Sequence, residues 1–224
     1  MKTLPVVLAS LCLAFGTTLA APKPTPCASS PLLDGSFTVG GQEVFFNGRF
    51  TYDALGKQLR IRNMGMVNDK PSAKDLLMIY NEGVLYDIDH SKWSCKKYRM
   101  NSDFVPMGVP KGALHINQVV VGSSSMSGMG VLVNNWQGLT LGTNGTINYY
   151  QAVTSEFGCL PISTLVYNPS SDWTSISYYN IMLGIFNPMD FIPPSFCKQA
   201  QLESDETNFL DAMKSVAREI VSEA

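Results

Sequence analysis

The sequence predicts an all-β fold, and three observations carry that prediction. From Cys27 onward the chain is a series of short runs, alternating or continuously apolar, each bounded by Gly, Asn, Asp, Ser or Pro. No long helical period is interleaved with these runs, which argues against a parallel α/β sheet. The chain is only 15% charged, with 18 glycines, whereas globular domains commonly carry about 25% charged residues. An antiparallel sandwich or open barrel of roughly ten strands is expected.

The elements follow in order. Lys2, the apolar stretch 4–15 and the small residues at Thr18-Leu19-Ala20 read as a signal peptide over residues 1–20. The stretch is shorter than the roughly 20 residues that span a bilayer. A β domain is expected over 21–198. Ser36–Val39 and Val44–Phe46 flank Gly40-Gly41, and Arg49–Asp53 leads into a turn at Leu55-Gly56. Gln58–Arg62 alternates, with Leu59 and Ile61 on one face. Leu76–Tyr80 is a continuous apolar run, and Asn81-Glu82-Gly83 has the turn chemistry to reverse it into Val84–Asp89. His115–Val121 and Val131–Trp136 flank a Gly- and Ser-rich connection, and Thr146–Val153, Leu160–Tyr167 and Trp173–Tyr179 complete the series.

The segment 199–224 differs. Phe209, Leu210, Met213, Val216, Ala217, Ile220 and Val221 keep helical spacing. Glu203, Asp205 and Glu206 precede them, where a helix dipole favours negative charge. A short acidic amphipathic helix is expected there.

Cysteine use points to compartment rather than chemistry. Beyond Cys12 in the leader, Cys27, Cys95, Cys159 and Cys197 form an even, widely spaced set, as expected of disulfides in a secreted chain. Four cysteines allow three pairings. No Cys-x-x-Cys pair is present, and neither His90 nor His115 belongs to a metal-ligand motif. The Ser123–Ser127 stretch lacks Gly-x-Ser-x-Gly, and Gly128-Met129-Gly130 does not extend to a dinucleotide fingerprint. The formal net charge of -2 and the shortness of the Lys96-Lys97 group exclude a nucleic-acid binder. No catalytic residue is assigned, and an enzyme is not expected.

Two further signals remain. Asp87 and Asp89, followed by Ser91, begin like a calcium loop. Lys92 and Tyr98 replace the glycine and glutamate that an EF-hand needs, so only a surface calcium site on one strand face is left as a candidate. Asn144-Gly145-Thr146 is an N-glycosylation sequon in a turn-rich stretch, and its occupancy is expected.

Several blocks together resemble the ependymin family. They are the stretches 27–33, 50–53, 75–89, 95–97, 121–125, 132–136, 158–164 and 187–197, in order and covering about residues 27 to 197. The resemblance implies two curved antiparallel sheets stacked into a half-open barrel, similar to bacterial lipoprotein carriers, with an apolar cleft and a tendency to form homodimers. It implies the pairs Cys27–Cys159 and Cys95–Cys197. It also implies secreted or lysosomal glycoproteins associated with calcium and cell-matrix contact. An additional cysteine pair found in some members is missing, and the acidic tail lies outside the matching blocks.

These readings converge on a secreted, non-enzymatic glycoprotein that holds a hydrophobic ligand, of lipid kind, in a cleft between sheets. The alternative is a calcium-binding matrix or adhesion glycoprotein without a small-molecule ligand. No cofactor is required, calcium being the one candidate. Partners would be a lipid, matrix components and a second copy, with no nucleic acid and no transmembrane segment. The candidate cleft residues are Leu76, Met78 and Tyr80, with Val84, Tyr86 and Ile88 expected in the same layer. Val119, Val121, Val131, Val133 and Trp136 are grouped with them.

Overall fold

Twelve strands form one continuous hydrogen-bonded ladder in the computed structural model. Residues 23–41, 45–67, 70–141, 147–168 and 172–207 are described. The expected signal peptide, the Asn144 sequon and the stretch 208–224 lie outside them. The strands are β1 (Leu32–Gly41), β2 (Phe45–Asp53), β3 (Gln58–Val67), β4 (Lys70–Ile79), β5 (Val84–Asp89), β6 (Ser94–Met100), β7 (Leu114–Gly122), β8 (Gly130–Leu141), β9 (Ile147–Ser155), β10 (Pro161–Asn168), β11 (Asp172–Leu183) and β12 (Leu202–Thr207). Their spatial order is β12-β6-β5-β4-β3-β2-β1-β11-β10-β9-β8-β7. Two antiparallel meanders, β1–β6 and β7–β11, are thus the two halves of one open sheet, joined where β1 pairs with β11. The all-β class and the unclosed antiparallel architecture are as the sequence predicts.

This order imposes curvature. The chain leaves β6 at Met100 and restarts in β7 at Leu114, strands that stand ten places apart in the ladder. On a flat sheet that separation would be about 48 Å. A fully extended linker of this length reaches about the same distance, and residues 101–113 contain turns rather than one extended run. The sheet therefore curls, and the linker crosses the inner face of the curl. Phe104 and Met107 pack on the core of the first half, while Val109 and Ala113 pack beside Trp136, Tyr150 and Ala152 in the second half.

Alternation assigns the faces. Leu33, Phe37, Phe50, Tyr52, Leu59, Ile61, Leu76, Met78 and Leu85 point inward and form the main core. Arg60, Arg62, Asp75, Leu77, Tyr86 and Ile88 occupy alternate or cross-strand paired positions on the outer face. Over the first half this outer face is covered by a strap after β11. The strap contains two short 3-10 turns, Pro188–Phe191 and Ser195–Gln199. Phe191, Phe196 and Cys197 pack on Leu77, Ile79, Val84, Tyr86 and Ile88. Cys95–Cys197 fixes the strap to β6, and Cys27–Cys159 ties the entry segment to the β9–β10 turn.

Charge also holds the strap. The Arg60 guanidinium donates from Nε to Asp75 Oδ1 (2.7 Å) and through its second arm to Asp75 Oδ2, while its third nitrogen donates to the Asp190 backbone carbonyl at 2.6 Å. Arg62 donates to Oδ2 of the Asp190 carboxylate at 2.9 Å and lies 2.7 Å from its Oδ1. Thr51 Oγ1 and Asn187 Nδ2 add hydrogen bonds to the same carboxylate. The Arg62 hydrogen bond holds the Asp190 carboxyl below its ordinary value. Its ionised form therefore stabilises the fold above the usual carboxylate range, and that contribution is lost as pH falls below it.

Two element bounds differ from expectation, one at the β12 edge and one at the interior strand β2. Leu202–Thr207 is strand β12 and not the approach to a helix. It runs parallel to β6, the strand that contains the basic group Lys96, Lys97 and Arg99, with Glu206 opposite Arg99. Opposite charge on neighbouring strands favours this pairing over an isolated helix start. Second, Phe45–Asp53 is one strand rather than two runs, because Asn47 and Gly48 keep the alternation. Gly48 is required there: an added Cβ would lie 2.7 Å from the Phe37 ring.

Asp75→Asn should lower stability by about 3–5 kcal/mol, because it strands the buried Arg60 charge. A shifted urea midpoint with unchanged slope would show it, and an unchanged midpoint would contradict this account. Burial pushes the Tyr80 and Tyr178 phenols up to about 12. The folded state favours both neutral phenols, so their contribution is complete below the ordinary value near 10.0 and fades as pH rises toward 12. Burial also raises Tyr52 and Tyr150, so spectrophotometric titration should show Tyr80 and Tyr178 as the last of the nine tyrosines to ionise, and Tyr80→Phe with Tyr178→Phe should remove that last step.

Candidate ligand-binding cleft

The inner face is built from both halves of the ladder. Phe37 on β1, Phe50 on β2, Leu59 and Ile61 on β3, and Ile176 and Tyr178 on β11 converge with Met107 of the crossing linker around an apolar cleft. Cross-strand register explains the convergence, since Phe37 lies opposite Tyr178, Val39 opposite Ile176 and Phe50 opposite Ile61. The rings interlock edge to face, with Phe50 and Tyr178 centroids 5.8 Å apart and Phe37 and Phe46 6.0 Å apart. The unfilled volume is about 20 Å³, room for roughly one water. What fills the rest is the linker itself.

The linker is held at few points. Phe104 stacks on Tyr52 at 5.9 Å and meets Tyr80 edge-on at 5.2 Å. The Met107 N–H donates to the Tyr52 hydroxyl at 2.9 Å. Ser29 N–H donates to the Met107 carbonyl and Val109 N–H to the Cys27 carbonyl, at 3.0 and 2.7 Å. The entry segment that makes these last two bonds is the one anchored by Cys27–Cys159.

The candidate residues read from sequence separate into three groups. Leu76, Met78 and Tyr80 do face the inner layer, beside the cleft rather than lining it. Val84, Tyr86 and Ile88 lie on the opposite face, under the strap. In the β4–β5 hairpin Leu77 pairs with Tyr86 and Ile79 with Val84. The hairpin register thus sets Val84, Tyr86 and Ile88 with Leu77 and Ile79, not with Leu76 and Met78. In the other half, Trp136 is buried on the inner face, where its indole N–H donates to Thr154 Oγ1 at 3.0 Å. Val133, an odd number of residues away on β8, faces outward with Val119, Val121 and Val131. The last three are exposed. The cleft residues that sequence reasoning passed over, Phe50, Leu59 and Ile61 among them, stood in alternating runs already read as strands. The missing signal was which strands the curl brings together.

The calcium candidates are engaged elsewhere. The Asp87 carboxylate lies 3.2 Å from Lys74 Nζ. Asp89 Oδ1 accepts from the Ser91 and Lys92 backbone N–H groups and from the Ser91 hydroxyl, closing the β5–β6 turn. Among the described residues, no three His, Cys, Asp or Glu side chains are grouped so as to hold a metal ion. No helix among them is long and apolar enough to cross a membrane. A second depression of about 370 Å³, on the outer face, is lined by Asp34, Arg49, Arg62, Phe186, Asn187 and Asp190. Its charges pair with one another, Arg49 with Asp34 and Arg62 with Asp190.

The chain is similar in sequence to known proteins and in fold to a solved structure. The chain is 34% identical over 200 residues to Ependymin-2 of Oncorhynchus mykiss, covering 87% of this chain and 88% of that protein. It is 31% identical over 226 residues to Ependymin of Esox lucius, covering 96% and 100%. An uncharacterized conserved protein from Thermus thermophilus superposes with a TM-score of 0.50 over 80% of this chain and 91% of that one, at 8% identity, a likeness of fold alone. The Ependymin family model matches residues 68–197, from the β3–β4 connection to the strap cysteine. With this match and relatives above 30% identity over most of their length, the chain belongs to the ependymin family.

Proposed function

We propose that the protein binds a hydrophobic ligand, a lipid with at least one acyl chain, on the inner face of the curled sheet. Binding rather than catalysis is its role. The observation that carries this reading is how the inner face is covered. An apolar surface drawn from β1, β2, β3 and β11 is closed by a connecting segment with few backbone hydrogen bonds, and not by a second packed element. Displacing Phe104 and Met107 opens a cleft flanked by Leu76, Met78 and Tyr80. The ligand supplies no charge to this surface, which offers only phenol and thioether groups as polar atoms.

The same reading places the protein outside the cell as a secreted glycoprotein, with Asn144 glycosylated and no cofactor required. The calcium-binding matrix reading finds less support, because Asp87 and Asp89 already serve Lys74 and the β5–β6 turn. A second copy is the partner for the outer face of β8–β11. Leu139, Ile147, Tyr149, Tyr167 and Trp173 lie there, all exposed and neighbours in the strand register, and clustered exposed apolar side chains of this kind mark interaction surfaces.

Denaturing extraction of the purified glycoprotein should yield lipid near one mole per mole of protein. Adding a long-chain fatty acid to stripped protein should raise its melting temperature by several degrees, as ligand linkage requires. Absence of both would overturn the binding role. In sedimentation velocity the protein should run as a dimer, and Tyr149→Asp with Tyr167→Asp should convert it to monomer at unchanged melting temperature. A wild-type monomer would remove the second copy from the picture.

A further inference from the structure

One end of the sheet carries a rim of protruding apolar side chains. Here β8 begins, β9 ends, β10 begins, β11 ends, β1 begins and β2 ends, so their turns lie side by side along the curl. The turn residues Met126, Met129 and Phe157, together with Leu183 at the end of β11 and Leu55 in the β2–β3 turn, are from 56% to 82% exposed. The β7–β8 hairpin reaches furthest. β9 ends at Ser155 opposite Val133, and the Glu156 N–H still donates to the Leu132 carbonyl at 2.9 Å, so β7 and β8 stand alone as a two-stranded ribbon from the pair Val121–Val131 onward. Val120 and Val121 point to opposite faces of the hairpin, and both are exposed.

Charge is sparse around the β7–β8, β9–β10 and β11 part of the rim. No Lys or Arg occurs between Lys111 and Lys198, and the acids in that stretch are Glu156, Asp172 and Asp190. Glu156, the one beside Phe157, is turned back onto β7 and β8, where its Oε2 accepts from Gln118 at 2.9 Å and from Asn134 at 2.5 Å. The hairpin loop satisfies backbone groups internally: Ser123 N–H donates to the Met129 carbonyl, Met129 N–H to the Met126 carbonyl, and Ser125 N–H to Ser123 Oγ. A protein partner laid on one face of the ribbon would leave the other face in water. A lipid surface surrounds both, tolerates separate apolar tips along a curved rim, and demands internally bonded loops.

We propose that this rim is a docking edge for a neutral lipid surface, with Met126, Met129 and Phe157 as its leading contacts. At these leading contacts the attraction is apolar, since the nearest basic side chain on the rim, the exposed Lys57, stands in the β2–β3 turn beside Leu55 and away from Met126, Met129 and Phe157. This goes beyond the cleft reading and does not depend on what the cleft holds.

The test is flotation of the full mature protein with vesicles of pure phosphatidylcholine, at low and high salt. Binding is expected, with the same partition at both salt concentrations. Replacing Met126, Met129 and Phe157 together by Ser should lower partition about tenfold or more, as loss of three buried apolar side chains implies. The variant's melting temperature and sedimentation should not change. Phe45→Ser, exposed at the opposite end of β2, should bind like the unmodified protein. The proposal is overturned if phosphatidylcholine vesicles are not bound, or if only anionic vesicles are bound and salt releases them. It is equally overturned if the triple variant binds fully, or if it changes oligomeric state, which would assign the rim to a second copy.

Discussion

The chain leaves β6 at one edge of the ladder and must begin β7 at the other, and most of the structure follows from that single requirement. A linker of this length meets the span only if the sheet curls. Once the sheet curls, its concave face is apolar and the linker runs over it. The inner core is therefore closed by irregular chain instead of a second sheet. Tyr52 has two parts in this closure: its ring stacks with Phe104, and its hydroxyl accepts the Met107 N–H, so one β2 residue positions two linker residues.

The outer face solves a different problem. Arg60 and Asp75 are both buried on adjacent strands, and a charge pair of that kind holds a register more than it adds stability. Here it also recruits a third segment, because Arg60 and Arg62 together bind the backbone and carboxylate of Asp190. His90 Nε2 lies 2.8 Å from the same Asp75 carboxylate and its ring meets Phe196 of the strap. Charge, aromatic contact and Cys95–Cys197 thus fix the strap at separate points. The strap covers the outer face over β4–β6, whereas the outer face of the second half is largely exposed, with Val133 a buried exception.

That asymmetry explains which features the sequence discloses. The β4–β5 hairpin is legible because Asn81-Glu82-Gly83 supplies the turn, with Gly83 at φ 65°, between the continuously apolar run Leu76–Tyr80 and a second run that opens on Val84-Leu85-Tyr86. Continuous runs are also why its faces are not legible. When both sides are buried, alternation in composition disappears and only the register tells Leu76 from Leu77. β6 reads as a basic cluster, since a strand whose charges face an acidic neighbour shows no apolar period. Arg60 reads as a polar position of the alternating run Gln58–Arg62 and Asp75 falls just outside the run Leu76–Tyr80, because their burial depends on a strap more than a hundred residues away. The cleft itself is a long-range object, assembled from β1, β3 and β11, and no local pattern encodes which strands meet across a curl.

The energetics of the cleft follow from its contents. Phe104 and Met107 are partly buried, so each gains less than the roughly 1.5–3 kcal/mol of a fully buried side chain, and opening the inner face costs at most about 3–6 kcal/mol. An acyl chain would recover about 0.8 kcal/mol per buried methylene. On the proposed role, a ligand that buries more than about four to seven methylenes would therefore suffice to displace the linker. The Cys27–Cys159 anchor limits how far the linker can travel, because Cys27 and Ser29 hold Val109 and Met107 through backbone bonds. The closed cleft and the proposed lipid-holding role are consistent on this ground: the linker protects the apolar face when it is empty, and a chain long enough to replace what it removes would open it.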